Sequence, residues 1–145
     1  MPRFNFLAFF VAIVYVTGSL AQETPKVDMK GMTPKIEHES VISGYLTELN
    51  GKYKLRVTQL TVEPGGYVGE HHHKGPGIRL VTSGQMTYVL PDKTIVYGPG
   101  DSFFESGDIT HTMYNKADAP LQLLLFEILP ADLQGSSLMP PKSSQ

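Results

Sequence analysis

From Val41 to Pro130 the chain is cut into short runs of β-branched and aromatic residues, with a turn signal about every 8 to 12 residues. No window of this stretch carries the three-and-four spacing of a helical stripe. The pattern predicts an all-β domain, and short antiparallel strands must hide their edges in a closed barrel or against a second sheet. The expected architecture is a small antiparallel jelly-roll β-barrel over residues 40–130.

The predicted strands are Val41–Leu49, Lys52–Val62, Tyr67–His73, Ile78–Thr82, Met86–Leu90, Thr94–Tyr97, Ser102–Glu105, His111–Tyr114 and Leu121–Ile128. Asn50-Gly51 is the strongest hairpin signal, because both residues accept the positive φ of a tight turn. Pro64-Gly65-Gly66, Gly75-Pro76-Gly77, Pro91-Asp92 and Gly98-Pro99-Gly100 mark the other turns. Tyr45, Tyr67, Tyr88, Phe103, Phe104 and Met113 are expected to line the barrel or to form homodimer contacts.

Three segments flank this core. Arg3, the apolar run Phe4–Val16 and the small residues Ser19 and Ala21 read as a secretory signal peptide over 1–21, cleaved after Ala21. The apolar run is about 13 to 15 residues, short of the roughly 20 that span a bilayer, so no stable membrane insertion is expected after cleavage. A secreted or periplasmic location follows. Residues 22–39 are polar, with two prolines and a glycine, and read as a linker or surface arm. Residues 131–145, ending in GSSLMPPKSSQ, read as a flexible tail.

A formal charge of −2, from 12 basic and 14 acidic residues, leaves no basic surplus for phosphates, so nucleic acid is not an expected partner. The absence of cysteine excludes thiol nucleophiles, disulfides, iron–sulfur clusters and thiolate zinc sites. Any metal must therefore be held by histidine and oxygen.

Four of the five histidines fall in two clusters, Glu70-His71-His72-His73 and Asp108-Ile109-Thr110-His111; His38 lies in the arm and reads as solvated. In a strand, His71 and His73 share one face while Glu70 and His72 share the other. An i, i+2 pair joined by a distant histidine is a facial three-nitrogen metal site, with positions left open for water or substrate. A histidine-rich turn near glycine and proline is equally a surface feature. Arg79 shares the parity of Gly77. It points either into the barrel, toward an acidic partner or a substrate anion, or outward with its stem on apolar surface.

Residues 41–130 resemble the cupin superfamily. Its first motif, G-x5-H-x-H-x3-4-E-x6-G, is matched by Gly65, His71, His73 and Gly84, and its second, G-x5-P-x-G-x2-H-x3-N, by Gly100, His111 and Asn115. Asp101 supplies the acidic residue that usually follows the glycine. Gly77 stands where the metal-binding glutamate is usual, Ser106 where the proline is, and Asp108 where the second glycine is. The resemblance implies a divalent ion (iron, manganese, nickel, copper or zinc) held by His71, His73 and His111, without the usual carboxylate. Glu70 faces away, and Gln85 is the only distant substitute considered. No carboxylate is otherwise placed inside, and Gly77→Glu is expected to tighten metal retention. The implied function is a metal-dependent, dioxygenase-like enzyme on a small organic molecule. A non-enzymatic small-molecule or metal-binding barrel is the alternative, and a metal-dependent lyase or isomerase a further one.

Overall fold

The structure is a computed structural model that describes residues 26–141; the signal peptide expected at 1–21 lies outside them. The described residues form nine strands: β1 (Met29–Val41), β2 (Tyr53–His73), β3 (Gly77–Ser83), β4 (Met86–Val89), β5 (Thr94–Tyr97), β6 (Ser102–Glu105), β7 (His111–Tyr114), β8 (Leu121–Pro130) and β9 (Leu138–Met139). The strands run in the order β5-β4-β7-β2-β8-β3-β6, with β1 and β9 both paired to β2, in a nearly closed antiparallel jelly-roll barrel.

β2 is 21 residues long and serves both halves of the barrel. Its first half, Tyr53–Val62, pairs with β8, and its second half pairs with β7 from Tyr67 to His71. The chain turns between the two at Pro64-Gly65-Gly66, where Gly65 takes φ 71°. This segment, expected to end a strand, bends one instead. Alternation along β2 sends Leu60 and Val62 inward, where they pack with Val68, Val81, Met86, Tyr88, Met113, Leu121 and Leu123. Each wholly buried aliphatic among them contributes about 1.5–3 kcal/mol over an exposed one.

The hairpin expected at Asn50-Gly51 is present with a different first arm. Residues 42–49, predicted as strand, hold a 3-10 turn at Thr47–Leu49, and the arm paired to β2 is β1. Gly51 does take positive φ, 71°. β1 lies where a linker or surface arm is expected; it is largely exposed, and Met32, Pro34 and Ile36 alternate toward the cavity. Bulges between Lys30 and Met32 and between Ile36 and His38 break its period. His38 is exposed on it.

The segment read as a flexible tail is also built in, because β9 pairs with β2 at His72 and His73. The inner face of β2 carries Lys54 and Arg56, both buried. Lys54 Nζ donates to Glu39 Oε1 on β1 (2.9 Å) and to the Leu133 carbonyl (2.6 Å). Arg56 Nε donates to Glu39 Oε2 (2.6 Å) and its Nη1 to the Gly135 carbonyl (2.6 Å). Two buried cations thus fasten β1 and the C-terminal segment to the same end of the barrel. Of the six residues expected to line the barrel or form homodimer contacts, Tyr88 and Met113 are in the core, whereas Tyr45 and Phe104 are exposed.

Asn115, at the end of β7, holds the β2 bend. Its Nδ2 donates to the carbonyls of Val62 and Ala119 (2.9 Å each), and its Oδ1 accepts from the Ala117 N–H (3.1 Å). Asn115→Ala leaves these buried groups unpaired and is expected to lower unfolding free energy by about 2–3 kcal/mol in urea titrations. A loss under about 0.5 kcal/mol would show that the bend does not depend on it.

Candidate metal centre

Val68 and His71 both face inward although their numbers differ in parity, because a bulge interrupts the β2–β7 ladder between them. Beyond the bulge, alternation places His71 and His73 inside, with Glu70 exposed and His72 only half-buried on the other side. His111 opens β7 directly opposite His71 in the register. The three imidazoles are 3%, 6% and 4% exposed for His71, His73 and His111, and one nitrogen of each lies within 4.8 Å of the others. This triad could hold a metal ion.

Two of the rings are aimed by the same local device. The Nδ1–H of His71 donates to the Gly69 carbonyl (2.8 Å), and that of His111 to the Ile109 carbonyl (3.0 Å), each two residues back. The Nδ1 of His73 faces Ser137 Oγ at 3.4 Å and Glu127 Oε1 at 3.5 Å. With Nδ1 committed, each Nε2 presents a lone pair, the tautomer a metal requires. Burial, reinforced by neighbouring His111, lowers His71 from 6.5 to about 3, and burial likewise lowers His111. Both rings are therefore neutral at neutral pH.

β3 lies between β6 and β8, and Gly77 on it is paired across to Glu105 on one side and to Glu127 on the other. Both carboxylates are buried, as is Arg79, two residues along β3 on the same face. Arg79 Nη2 stands 2.6 Å from Glu105 Oε2 and 3.3 Å from Glu127 Oε1. Ser137 Oγ donates to Glu127 Oε1 (2.7 Å). Burial raises Glu127, but His73, Arg79 and Ser137 outweigh it and hold the carboxyl below its ordinary range. Glu105 Oε1 lies 3.3 Å from His111 Nε2, and its Oε2 lies 3.3 Å from His73 Nε2. Burial pushes the nearby Tyr88 phenol up, and the Glu105 carboxylate adds to the shift.

The histidines and this ionic group form the polar end of a cavity of about 400 Å³. Its walls are otherwise largely apolar, with Met29 and Met32 of β1, Leu60 of β2, Met113 of β7, Leu123 of β8 and Leu138 of β9 among them.

Residues 58–127 match the family described as "Cupin domain". This part of the barrel is a cupin domain. Similar cupin-like folds among solved structures include the polyketide cyclase RemF from Streptomyces resistomycificus, with TM-score 0.53 at 20% identity over 77% of this chain and 83% of that one. KdgF from a Halomonas species aligns with TM-score 0.52 at 19% identity over 69% and 84%. A Cupin 2 conserved barrel domain protein from Salinispora arenicola aligns with TM-score 0.51 at 18% identity over 73% and 82%. No curated protein matches the chain by sequence.

Within this cupin, the departures from the family motif acquire physical meaning. A Cβ built on Gly77 would lie 2.5 Å from the Phe126 carbonyl oxygen and in contact with Arg79 Nη1. The space of the usual glutamate is therefore filled by the Arg79 guanidinium. Gly77→Glu, expected to tighten metal retention, would instead collide with backbone. Arg79 does point inward, where its Nη2 meets the carboxylates of Glu105 and Glu127. Gln85 is exposed and takes no part. The expectation that no carboxylate lies inside is overturned by Glu105 and Glu127. Their signal was available in the inward parity of Arg79, since a buried guanidinium demands an acidic partner. The register that makes those partners Glu105 and Glu127 was not. Ser137 carried no signal at all, being in a polar stretch that reads as tail.

His71→Ala, His73→Ala and His111→Ala are each expected to abolish stoichiometric metal measured by mass spectrometry, while His72→Ala keeps it. Equal loss at His72 would refute the bulge-defined parity. In chelator-treated protein, His71 stays neutral down to about pH 3 while the unfolded chain takes up its proton near 6.5. The unfolded state then binds more protons, so stability present above pH 6.5 falls as the pH drops toward 3. Urea midpoints at pH 7 and pH 5 check this; an unchanged midpoint would contradict it.

Proposed function

We propose that this cupin is an exported, metal-dependent enzyme of the dioxygenase-like kind, acting on a small, largely apolar organic molecule. The observation that carries the reading is the opening of a buried histidine triad onto the apolar cavity. The donor chemistry fits a divalent ion: three imidazole lone pairs converge beside a carboxylate, with ring protons turned outward to fixed acceptors. A bound ion supplies Lewis acidity or, where redox-active, oxygen chemistry.

The protein's own side chains do the positioning. The Gly69 and Ile109 carbonyls prevent ring rotation of His71 and His111, and Glu127 with Ser137 does so for His73. The apolar walls accept a hydrocarbon body and leave the histidine end as the place for its polar group. A lyase or isomerase needs a carboxylate or other base free to take a proton from substrate. Here Glu105 is held by Arg79, and Glu127 by Arg79 and Ser137. That engagement favours chemistry supplied by the ion over chemistry supplied by a free base.

Elemental analysis of the purified protein, paired with oxygen-electrode assays against small phenols and enols, tests the reading. One ion per chain and oxygen uptake abolished by chelation are expected. An ion with no oxygen uptake would leave a metal-binding barrel, and absence of any ion would leave a small-molecule binder.

A further inference from the structure

We infer that Glu105, from β6, is the carboxylate ligand of the metal centre, taking the role that the family motif gives to the residue at position 77. The inference rests on the metal-binding reading above and changes its ligand set to three imidazoles and one carboxylate.

Three observations carry it. First, the two oxygens of Glu105 are each 3.3 Å from a histidine Nε2, one on His111 and one on His73. Adjacent ligands on an ion with bonds of about 2.1 Å stand roughly 3.0 Å apart, so Glu105 stands near ligand spacing from two of the three histidines, at the edge of the triad. Second, His111 turns its Nδ1 to the Ile109 carbonyl, so Nε2 is the ring nitrogen that faces Glu105 Oε1. A cation between these two atoms would be held by both.

Third, Glu105 is oriented as ligating carboxylates are, by outer partners. Arg79 Nη2 holds Oε2 at 2.6 Å. Arg79 is in turn braced by Glu127. Gly77 and Glu105 are direct cross-strand partners, so the carboxylate has kept its level in the barrel while moving one strand over. The volume it left behind on β3 is the one the guanidinium fills.

Cobalt(II) titration of the chelator-stripped protein, read by competition affinity and by visible d–d absorption, separates the possibilities. Glu105→Gln should weaken cobalt by more than about 100-fold, beyond the roughly 10- to 100-fold effect of outer partners, and should alter the absorption bands. Glu105→Asp keeps the charge and the Arg79 pair but shortens the reach. It should bind with intermediate affinity and shifted bands, and it carries the test if the glutamine variant does not fold. Unchanged bands in both folded variants, whether or not affinity falls, would reduce Glu105 to charge balance and overturn the assignment. Wild-type protein that binds no cobalt would instead refute the metal reading itself. His111→Ala losing cobalt while Glu105→Gln retains it in full would refute only the fourth ligand.

Discussion

A single guanidinium shared by two buried carboxylates is the constraint around which this barrel end is organised. Arg79, Glu105 and Glu127 are each less than a tenth exposed, and isolated charges of that kind cost several kcal/mol apiece to desolvate. They are tolerated because the register of β3 between β6 and β8 brings both carboxylates opposite one glycine. Gly77 is what makes room, since its missing side chain is the space the guanidinium enters. One cation for two carboxylates leaves the group short of positive charge. The neighbouring His71 and His111 are too deeply buried to supply a proton near neutrality. A divalent ion, which the histidine triad could hold, would answer that shortage.

The aim of the histidines depends on β2 in a comparable way. Val68 belongs to the core and His71 to the site, yet an unbroken strand would send one of them outward. The bulge between them restores both. Its carbonyl at Gly69 then serves as the acceptor that fixes the His71 ring, so one local irregularity sets both the direction and the tautomer of the ligand.

Much of the barrel was legible in the sequence because its strands are short and alternate. β5, β6 and β7 fall at Thr94–Tyr97, Ser102–Glu105 and His111–Tyr114, where turn chemistry and pattern agree. β1 was hard to read, since it is largely exposed and its short apolar face, Met32, Pro34 and Ile36, has a proline at its centre and is flanked by bulges. The residues between Val41 and Asn50 misled for the opposite reason. They look like the arm of a hairpin, but the chain closes there through a 3-10 turn. For the site, i, i+2 spacing and the family motifs were enough to name His71, His73 and His111. Glu105 was out of reach because its relation to Gly77 exists only across strands, and a cross-strand partner depends on register rather than on spacing along the chain.

The segments hardest to read are those that shape the cavity. The three histidines, Arg79, Glu105 and Glu127 all lie within the residues that match the cupin family, 58–127. Met29, Met32 and Leu138, which complete the apolar walls, lie outside that stretch, on β1 and β9. Lys54 and Arg56 tie both flanks to the barrel through Glu39 and the carbonyls of Leu133 and Gly135. The same C-terminal segment sends Ser137 to Glu127 and His73. Cavity shape and ligand geometry are therefore joined by one short stretch of chain. A barrel of this kind can keep its metal chemistry while its flanks change what fits, because the ligands belong to the shared core and much of the wall does not. The converse does not hold: displacing residues 135–138 alters the wall and removes a bracing hydroxyl from the carboxylate behind His73.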